Sequence, residues 1–238
     1  EAIIIMEDDE TFDAGRGSFL NAAGEIELDA SIMNGKTFRA GAVGAVQNVV
    51  HPISLARVIM EKSEHILLVG KGATRFAREH NITTCGLDDL VTEREIERWR
   101  ENQTSPQRMA GGGSFRKSTG KRGDTVGAVA RDAAGNIASG TSTGGTPNKY
   151  PGRVGDSPLI GCGTYADNDV GGVSTTGWGE AMIKVVMAKS VIDMMARNGK
   201  DPESAARDGI ALLKKKAAGY GGVIALSSDG RIGVSYNT

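Results

Sequence analysis

The segment Lys121-Arg-Gly-Asp-Thr-Val-Gly-Ala-Val-Ala-Arg131 joins two kinds of chain. Before it, residues 103 to 124 carry Ser, Gln, three consecutive glycines (Gly111 to Gly113) and few apolar side chains. From Ser105 onward Arg108, Arg116, Lys117, Lys121 and Arg122 stand against a single acid, Asp124. Such a stretch buries too little apolar surface to offset its ordering entropy, which predicts a mobile linker. At Thr125 an ordered strand begins, Thr125 to Ala130, and a turn at Asp132 to Asn136 leads into a second, Ile137 to Thr141. A long structureless run inside a compact domain needs a reason. A break between Asp124 and Thr125 would be one, because it leaves a threonine as a new amino terminus at the head of a strand.

Working outward, Glu25 to Met33 alternates, with Ile26, Leu28, Ala30 and Ile32 on one face and Glu25, Glu27 and Asp29 on the other, the pattern of a half-buried strand. Asn34-Gly35 signals a hairpin into a strand at Ala40 to Val46. Pro52 to Lys62 has helical spacing with proline in its first turn. His65 to Val69 reads as a short apolar strand, Ala73 to His80 as a helix and Asp88 to Arg100 as a highly charged helix. Downstream, Val170 to Ser174 reads as a strand. Trp178 to Arg197 reads as one long helix with Ile183, Val186, Met187, Val191, Met194 and Met195 inward. Asp201 caps a further helix, Pro202 to Ala217, and Gly222 to Leu226 pairs with Arg231 to Tyr236 around Asp229-Gly230. Strands in hairpin pairs and helices in runs predict an α+β protein in layers. Both ends stop in mid-pattern, so the chain reads as cut at each.

At 238 residues the chain suits one large domain or two small ones. Its net charge of −1 argues against a nucleic-acid binder held by bulk electrostatics. No apolar run approaches the ~18–20 residues that span a bilayer. No basic-then-apolar leader opens the sequence. Two cysteines, Cys85 and Cys162, make no disulfide framework, and a reduced, cytoplasmic location is expected. Three histidines leave little material for a His-rich metal site. Val69-Gly-Lys-Gly-Ala-Thr-Arg75 half matches a dinucleotide fingerprint, but Arg75 replaces the third glycine, and a helix entry is the better reading. Glycine is the outlier: 34 residues, roughly twice average usage. That abundance points to tight turns and to sites built from backbone N–H groups.

The chemistry follows from the break. An α-amino group has a pKa of ~7.7–8, so at neutral pH an amino-terminal threonine carries a base for its own hydroxyl. No histidine or metal is required. Gly140-Thr-Ser-Thr-Gly-Gly145 adds hydroxyls after the neighbouring strand. Ser174-Thr-Thr-Gly-Trp-Gly179 does the same before a helix, where free N–H groups favour negative charge. Taken singly, either is ordinary turn and capping chemistry. In Pro151-Gly-Arg-Val-Gly-Asp-Ser157, Arg153 and Asp156 form either an exposed loop ion pair or a grip for the carboxylate and ammonium of a free amino acid.

These segments, with Phe12-Asp-Ala-Gly-Arg-Gly17, Glu27-Leu-Asp-Ala30, Ala40-Gly-Ala-Val-Gly-Ala45, Gly123-Asp-Thr-Val-Gly-Ala-Val129, Pro151-Gly-Arg-Val-Gly-Asp-Ser-Pro158 and Thr176-Gly-Trp-Gly-Glu180, resemble the isoaspartyl peptidase/L-asparaginase family of N-terminal-nucleophile hydrolases. The match runs in order over nearly the whole chain. The resemblance implies a four-layer αββα sandwich with the Thr125 strand central. It implies self-cleavage after Asp124 into an α-subunit-like part, 1–124, and a β-subunit-like part, 125–238, assembled as a dimer of αβ units. Thr125 would be the nucleophile, held by Thr143. Thr176 and Gly177 would form the oxyanion hole, Arg153 would bind the substrate α-carboxylate, and Asp156, with Gly179 nearby, its α-amino group. Backbone carbonyls of Glu7, Asp9, Phe12, Ala14 and Arg16 would hold a structural Na⁺. Substrates would be asparagine and β-aspartyl dipeptides, with no catalytic cofactor, nucleic acid or membrane involved.

The sequence also departs from the family. Asp13 stands where many members have asparagine, and Trp178 lies inside the oxyanion motif. The family begins further upstream with a His-Gly-Gly-Ala-Gly strand and a long helix, which makes a truncated, uncleaved and inactive relative the alternative reading. A nucleotide-binding module at Gly70 to Gly72 is the more distant one.

Overall fold

The computed structural model describes residues 1–104, 125–198 and 201–238. Of the linker read at residues 103 to 124, Gln103 and Thr104 are instead the end of a helix, and residues 105 to 124, Asp124 among them, lie outside the described residues. In chain order the elements are α1 (Ala2–Asp8), β1 (Leu28–Asn34), β2 (Ala40–Val46), α2 (Pro52–Lys62), β3 (Leu67–Val69), α3 (Gly70–Glu79), α4 (Leu87–Leu90) and α5 (Glu93–Thr104). After them come β4 (Val126–Arg131), β5 (Ile137–Thr143), β6 (Thr164–Asp167), β7 (Gly171–Gly177), α6 (Gly179–Val185), α7 (Met187–Asn198), α8 (Pro202–Ala217), β8 (Gly221–Ser227) and β9 (Ile232–Tyr236).

Two sheets form, one in the order β3-β2-β1-β5-β4 and one in the order β6-β7-β8-β9. All neighbours are antiparallel except β2 and β3. Ile53, Leu55, Ala56 and Ile59 of α2 and Ala73 and Ala77 of α3 pack with Leu28, Ala30 and Val43 of the first sheet. Met187, Val191 and Ile192 of α7 and Ala205, Ile210 and Leu213 of α8 pack with Val173, Val223 and Ala225 of the second. Each buried aliphatic side chain of this size contributes about 1.5–3 kcal/mol.

Between the sheets the seam is made of hydroxyls and small residues. Ser139 Oγ donates to the Val173 carbonyl at 2.7 Å, and Thr141 Oγ1 bonds Ser174 Oγ at 2.7 Å. A Cβ on Gly127 would collide with that Ser174 hydroxyl, so glycine there lets β4 lie close on β7. Small side chains bring the backbones near, and these seam hydroxyls bond one another and the facing carbonyls.

Several expectations change. The strand led by Thr125 is the edge of its sheet: β4 pairs with β5, and among the described residues no strand pairs its other side. The strand expected from Glu25 to Met33 starts at Leu28 and is buried on both faces, Glu27 and Asp29 included. The long helix is two, because Val186 takes a left-handed conformation (φ 48°) and turns outward. Gly70 to Gly72 form the first turn of α3, a helix entry. Val170 to Ser174 extends to Gly177, carrying Thr176 and Gly177 on the strand end, and β6 is a strand the sequence reading missed.

Candidate active site

A cavity of about 580 Å³ opens at the head of β4, with Asp13, Thr125, Gly145, Thr175, Thr176 and Gly177 in its wall. Thr125 Oγ1 donates to Thr143 Oγ1 at 3.1 Å. Thr143 Oγ1 accepts the Gly145 N–H at 3.0 Å and donates to Asp13 Oδ2 at 3.3 Å. The first two residues stand on paired strands, since Val126 of β4 faces Ser142 of β5. Asp13 is fully buried; its Oδ1 accepts the Phe19 N–H at 2.9 Å, and its own carbonyl accepts the Gly144 N–H at 2.9 Å. Burial holds the Asp13 carboxyl well above the usual carboxylate range, with the Phe19 N–H and the Lys149 charge only partly opposing it.

Arg153 and Asp156 stand one residue behind the cavity wall. Asp156 Oδ2 accepts the Thr175 hydroxyl at 3.0 Å, and a Cβ placed on Gly145 would lie 3.4 Å from Arg153 Nη1. The two anchors face one spot: a Cβ on Gly179 would lie 2.7 Å from Arg153 Nη2 and 3.1 Å from Asp156 Oδ1. Burial pushes the Asp156 carboxyl up to about 6 against the Thr175 hydrogen bond and the Arg153 charge. The loop ion pair open at the sequence level is therefore a buried carboxyl and a largely buried guanidinium with Gly179 packed against both. Arrangements of this kind recognise a small zwitterion: cation for carboxylate, anion for ammonium.

Beneath the anchors runs a charge network that the sequence reading did not find. Glu27 accepts the Gly152 N–H, Asp29 accepts the N–H groups of Ala45 and Gly155, and buried Lys149 donates to the Glu27 carbonyl at 2.7 Å. These bonds fix the loop from Lys149 to Asp156 on β1. Burial lowers the Lys149 ammonium, with Asp29 and Glu27 opposing. Glu7 is a second surprise. Its Oε1 accepts both the Ser142 hydroxyl at 2.6 Å and the Ile53 N–H at 3.1 Å, tying α1 to β5 and α2, and burial pushes its carboxyl up to about 8. Neither signal is local in sequence, since each acid has at least one partner more than forty residues away.

Of the carbonyls that the family resemblance would give to a Na⁺, Glu7 O accepts the Arg16 N–H at 2.8 Å and Asp9 O accepts the Phe12 N–H at 3.1 Å. Each retains a second lone pair, and carbonyl oxygen suits a hard cation, so this loop's donor chemistry fits the ion. Among the described residues no group of three His, Cys, Asp or Glu side chains could hold a metal, and no helix is long and apolar enough to cross a membrane.

Comparison with known proteins gives the chain relatives along its whole length. A family model described as asparaginase matches residues 1–238. The isoaspartyl peptidase/L-asparaginase of Xenopus laevis is 46% identical over 242 residues, covering 100% of this chain and 74% of that protein. The corresponding proteins of Bos taurus and Homo sapiens are 46% and 45% identical, covering 100% and 96% of this chain and 75% and 72% of their own lengths. On the match along its whole length, the chain belongs to the asparaginase family.

Proposed function

We propose that this chain hydrolyses L-asparagine and β-aspartyl (isoaspartyl) peptides, releasing aspartate with ammonia or an amine, and that Thr125 is the nucleophile. The names of the relatives supply the substrate class. The observation that carries the reading is Thr125 on the cavity wall with its hydroxyl bonded to Thr143, and Arg153 and Asp156 behind Gly145 and Thr175 of the same wall.

In the precursor, Thr125 Oγ1 attacks the Asp124 carbonyl carbon. The peptide C–N bond gives way to an ester, which frees the Thr125 amine, and water then hydrolyses that ester to the Asp124 carboxylate and the Thr125 hydroxyl. In the mature enzyme that amine takes the Thr125 hydroxyl proton as Oγ1 attacks the side-chain carbonyl of the substrate. The Thr176 hydroxyl and the Gly177 N–H donate to the oxyanion; losing one such donor typically costs about 2.7–4 kcal/mol. The protonated amine returns its proton to the leaving ammonia or amine. Water, deprotonated by the same amine, cleaves the aspartyl ester and restores the threonine. Arg153 and Asp156 meanwhile hold the α-carboxylate and α-ammonium, with Gly179 leaving room beside them.

On this reading the fold is the αββα sandwich of the N-terminal-nucleophile hydrolases, with residues 1–124 and 125–238 as its two subunits. Two αβ units pair as a dimer in the cytoplasm. The carbonyls of Glu7, Asp9, Phe12, Ala14 and Arg16 would hold a Na⁺ that stiffens the loop before Asp13.

Intact-mass measurement of incubated protein tests the reading, with aspartate release assayed in parallel. A fragment beginning at Thr125, and loss of both cleavage and turnover in Thr125→Ala, are expected. Turnover surviving in Thr125→Ala overturns the assignment of the nucleophile.

A further inference from the structure

The guanidinium of Arg153 is engaged on one edge and bare on the other. Its Nε donates to Glu180 Oε1 at 2.9 Å. Its Nη2 is buried and has no hydrogen-bond partner among the described residues. Three glycines turn their bare Cα atoms toward the remaining edge. A Cβ would lie 3.4 Å from Nη1 on Gly145, 3.0 Å from Nη1 on Gly155 and 2.7 Å from Nη2 on Gly179. A guanidinium is a rigid planar fork, so fixing its Nε–H also fixes the direction of the two Nη groups.

We propose that Glu180 is a positioning residue that aims the Nη1–Nη2 edge of Arg153 at the substrate α-carboxylate, and so makes the site selective for substrates whose α-carboxylate is free. The proposal rests on the reading of Arg153 as the carboxylate anchor. Glu180 is in the first turn of α6, directly after Gly179. One turn of chain therefore supplies both the opening over Nη2 and the clamp on Nε. The Glu180 side chain is 46% exposed against 15% for Arg153, so the clamp pulls from the solvent side and leaves the inner edge to the ligand.

Aim and charge make opposite demands, which separates them. Glu180 partly neutralises Arg153, so if charge alone mattered its removal would tighten carboxylate binding. If aim matters, removal weakens it. Glu180→Gln keeps an acceptor within reach of Nε and discards the charge, whereas Glu180→Asp keeps the charge and falls a methylene short.

Steady-state kinetics on the cleaved wild type, Glu180→Ala, Glu180→Gln and Glu180→Asp, with L-asparagine and its α-carboxamide as substrates, test this. Glu180→Ala and Glu180→Asp should raise KM for asparagine roughly tenfold, the loss of a charge-assisted hydrogen bond's worth of alignment, with kcat little changed. Glu180→Gln should stay near wild type, and KM for the α-carboxamide should not move in any variant. Should Glu180→Ala fail to fold, Glu180→Asp against Glu180→Gln carries the same contrast. An asparagine KM that is unchanged or lowered in Glu180→Asp and Glu180→Ala, or a parallel rise for both substrates, overturns the proposal. Arg153→Ala separates the two levels. A wild type without turnover, or an asparagine KM insensitive to Arg153→Ala, overturns the underlying reading and the proposal with it. Sensitivity to Arg153→Ala alone overturns only the role of Glu180.

Discussion

Thr125 Oγ1 donates to Thr143 Oγ1 at 3.1 Å, and Thr143 is itself pinned by the Gly145 N–H and by Asp13. The rotamer of Thr125, the proposed nucleophile, is thus set by a hydroxyl that has no freedom of its own. Thr143→Ala removes that restraint without touching the anchors. Misplacement of about 1 Å at a reacting atom costs on the order of 100-fold, so kcat should fall by that order while KM for asparagine changes little. Initial rates of ammonia release check this, and Thr143→Ser, which keeps the hydroxyl, should recover most of the rate. A large KM effect with kcat intact would place Thr143 in binding instead.

Asp156 gives the site its acid limb. An ammonium ligand needs the carboxylate form, and burial has pushed this carboxyl up to about 6. KM for asparagine should therefore rise as pH falls through about 6. Asp156→Asn should bind weakly at every pH, with no such inflection. Stability runs the other way. The folded value lies above the ordinary one, so the native state keeps a proton the unfolded chain releases. That stabilising contribution is whole below the ordinary carboxylate pKa and is lost as pH rises through about 6. Thermal melts from pH 4 to 7 should show the wild type losing ground against Asp156→Asn across that interval.

The sequence made legible those parts whose causes are local. The helix Pro52–Lys62 announces itself by proline in its first turn, and Pro202–Ala217 by the Asp201 side chain accepting the Ser204 N–H. The strand Ala40–Val46 is legible from its small apolar run. Glu27 and Asp29 misled because alternation assigns acids to water, whereas the loop at residues 152 to 155 folds over them and supplies N–H donors. The break at Val186 was hidden because a β-branched residue gives no sign of a left-handed turn. Of the hydroxyls in those motifs, Thr125 and Thr176 line the cavity and Thr143 accepts the Thr125 hydroxyl. Nothing local tied Glu180 to Arg153, because the pair closes across 27 residues.

Gly179 offers a steric test of the anchor pair. An alanine methyl there would sit 2.7 Å from Arg153 Nη2 and 3.1 Å from Asp156 Oδ1, inside the space the α-carbon substituents of a substrate would use. Gly179→Ala should leave cleavage at Thr125 intact, since the added methyl meets Arg153 and Asp156 and neither Thr125 nor Thr143. It should raise KM for asparagine by about tenfold or more, as one methyl's overpacking of 1–3 kcal/mol implies. Cleavage followed by mass and turnover followed by aspartate release separate the two effects. Normal KM in a cleaved Gly179→Ala protein would mean that the substrate binds away from Arg153 and Asp156.

The seam between the sheets makes a prediction about stability alone. Gly127 faces Ser174, and a methyl on Gly127 would collide with the Ser174 hydroxyl, which is itself bonded to Thr141. Gly127→Ala should therefore destabilise by about 1–3 kcal/mol, the usual cost of overpacking a closed interface. Ser174→Ala costs less, because Thr141 Oγ1 keeps its bond to the Gly163 carbonyl at 3.0 Å and the Thr164 hydroxyl at 2.6 Å. Removing the hydroxyl also vacates the space the new methyl needs. The double variant Gly127→Ala/Ser174→Ala should thus be more stable than the sum of the two single losses allows, with a coupling of about 0.5–3 kcal/mol in denaturant melts. Strict additivity would show that β4 moves away from β7 to admit the methyl. In that case Thr125, at the head of β4, would shift with it and turnover would fall in parallel with stability.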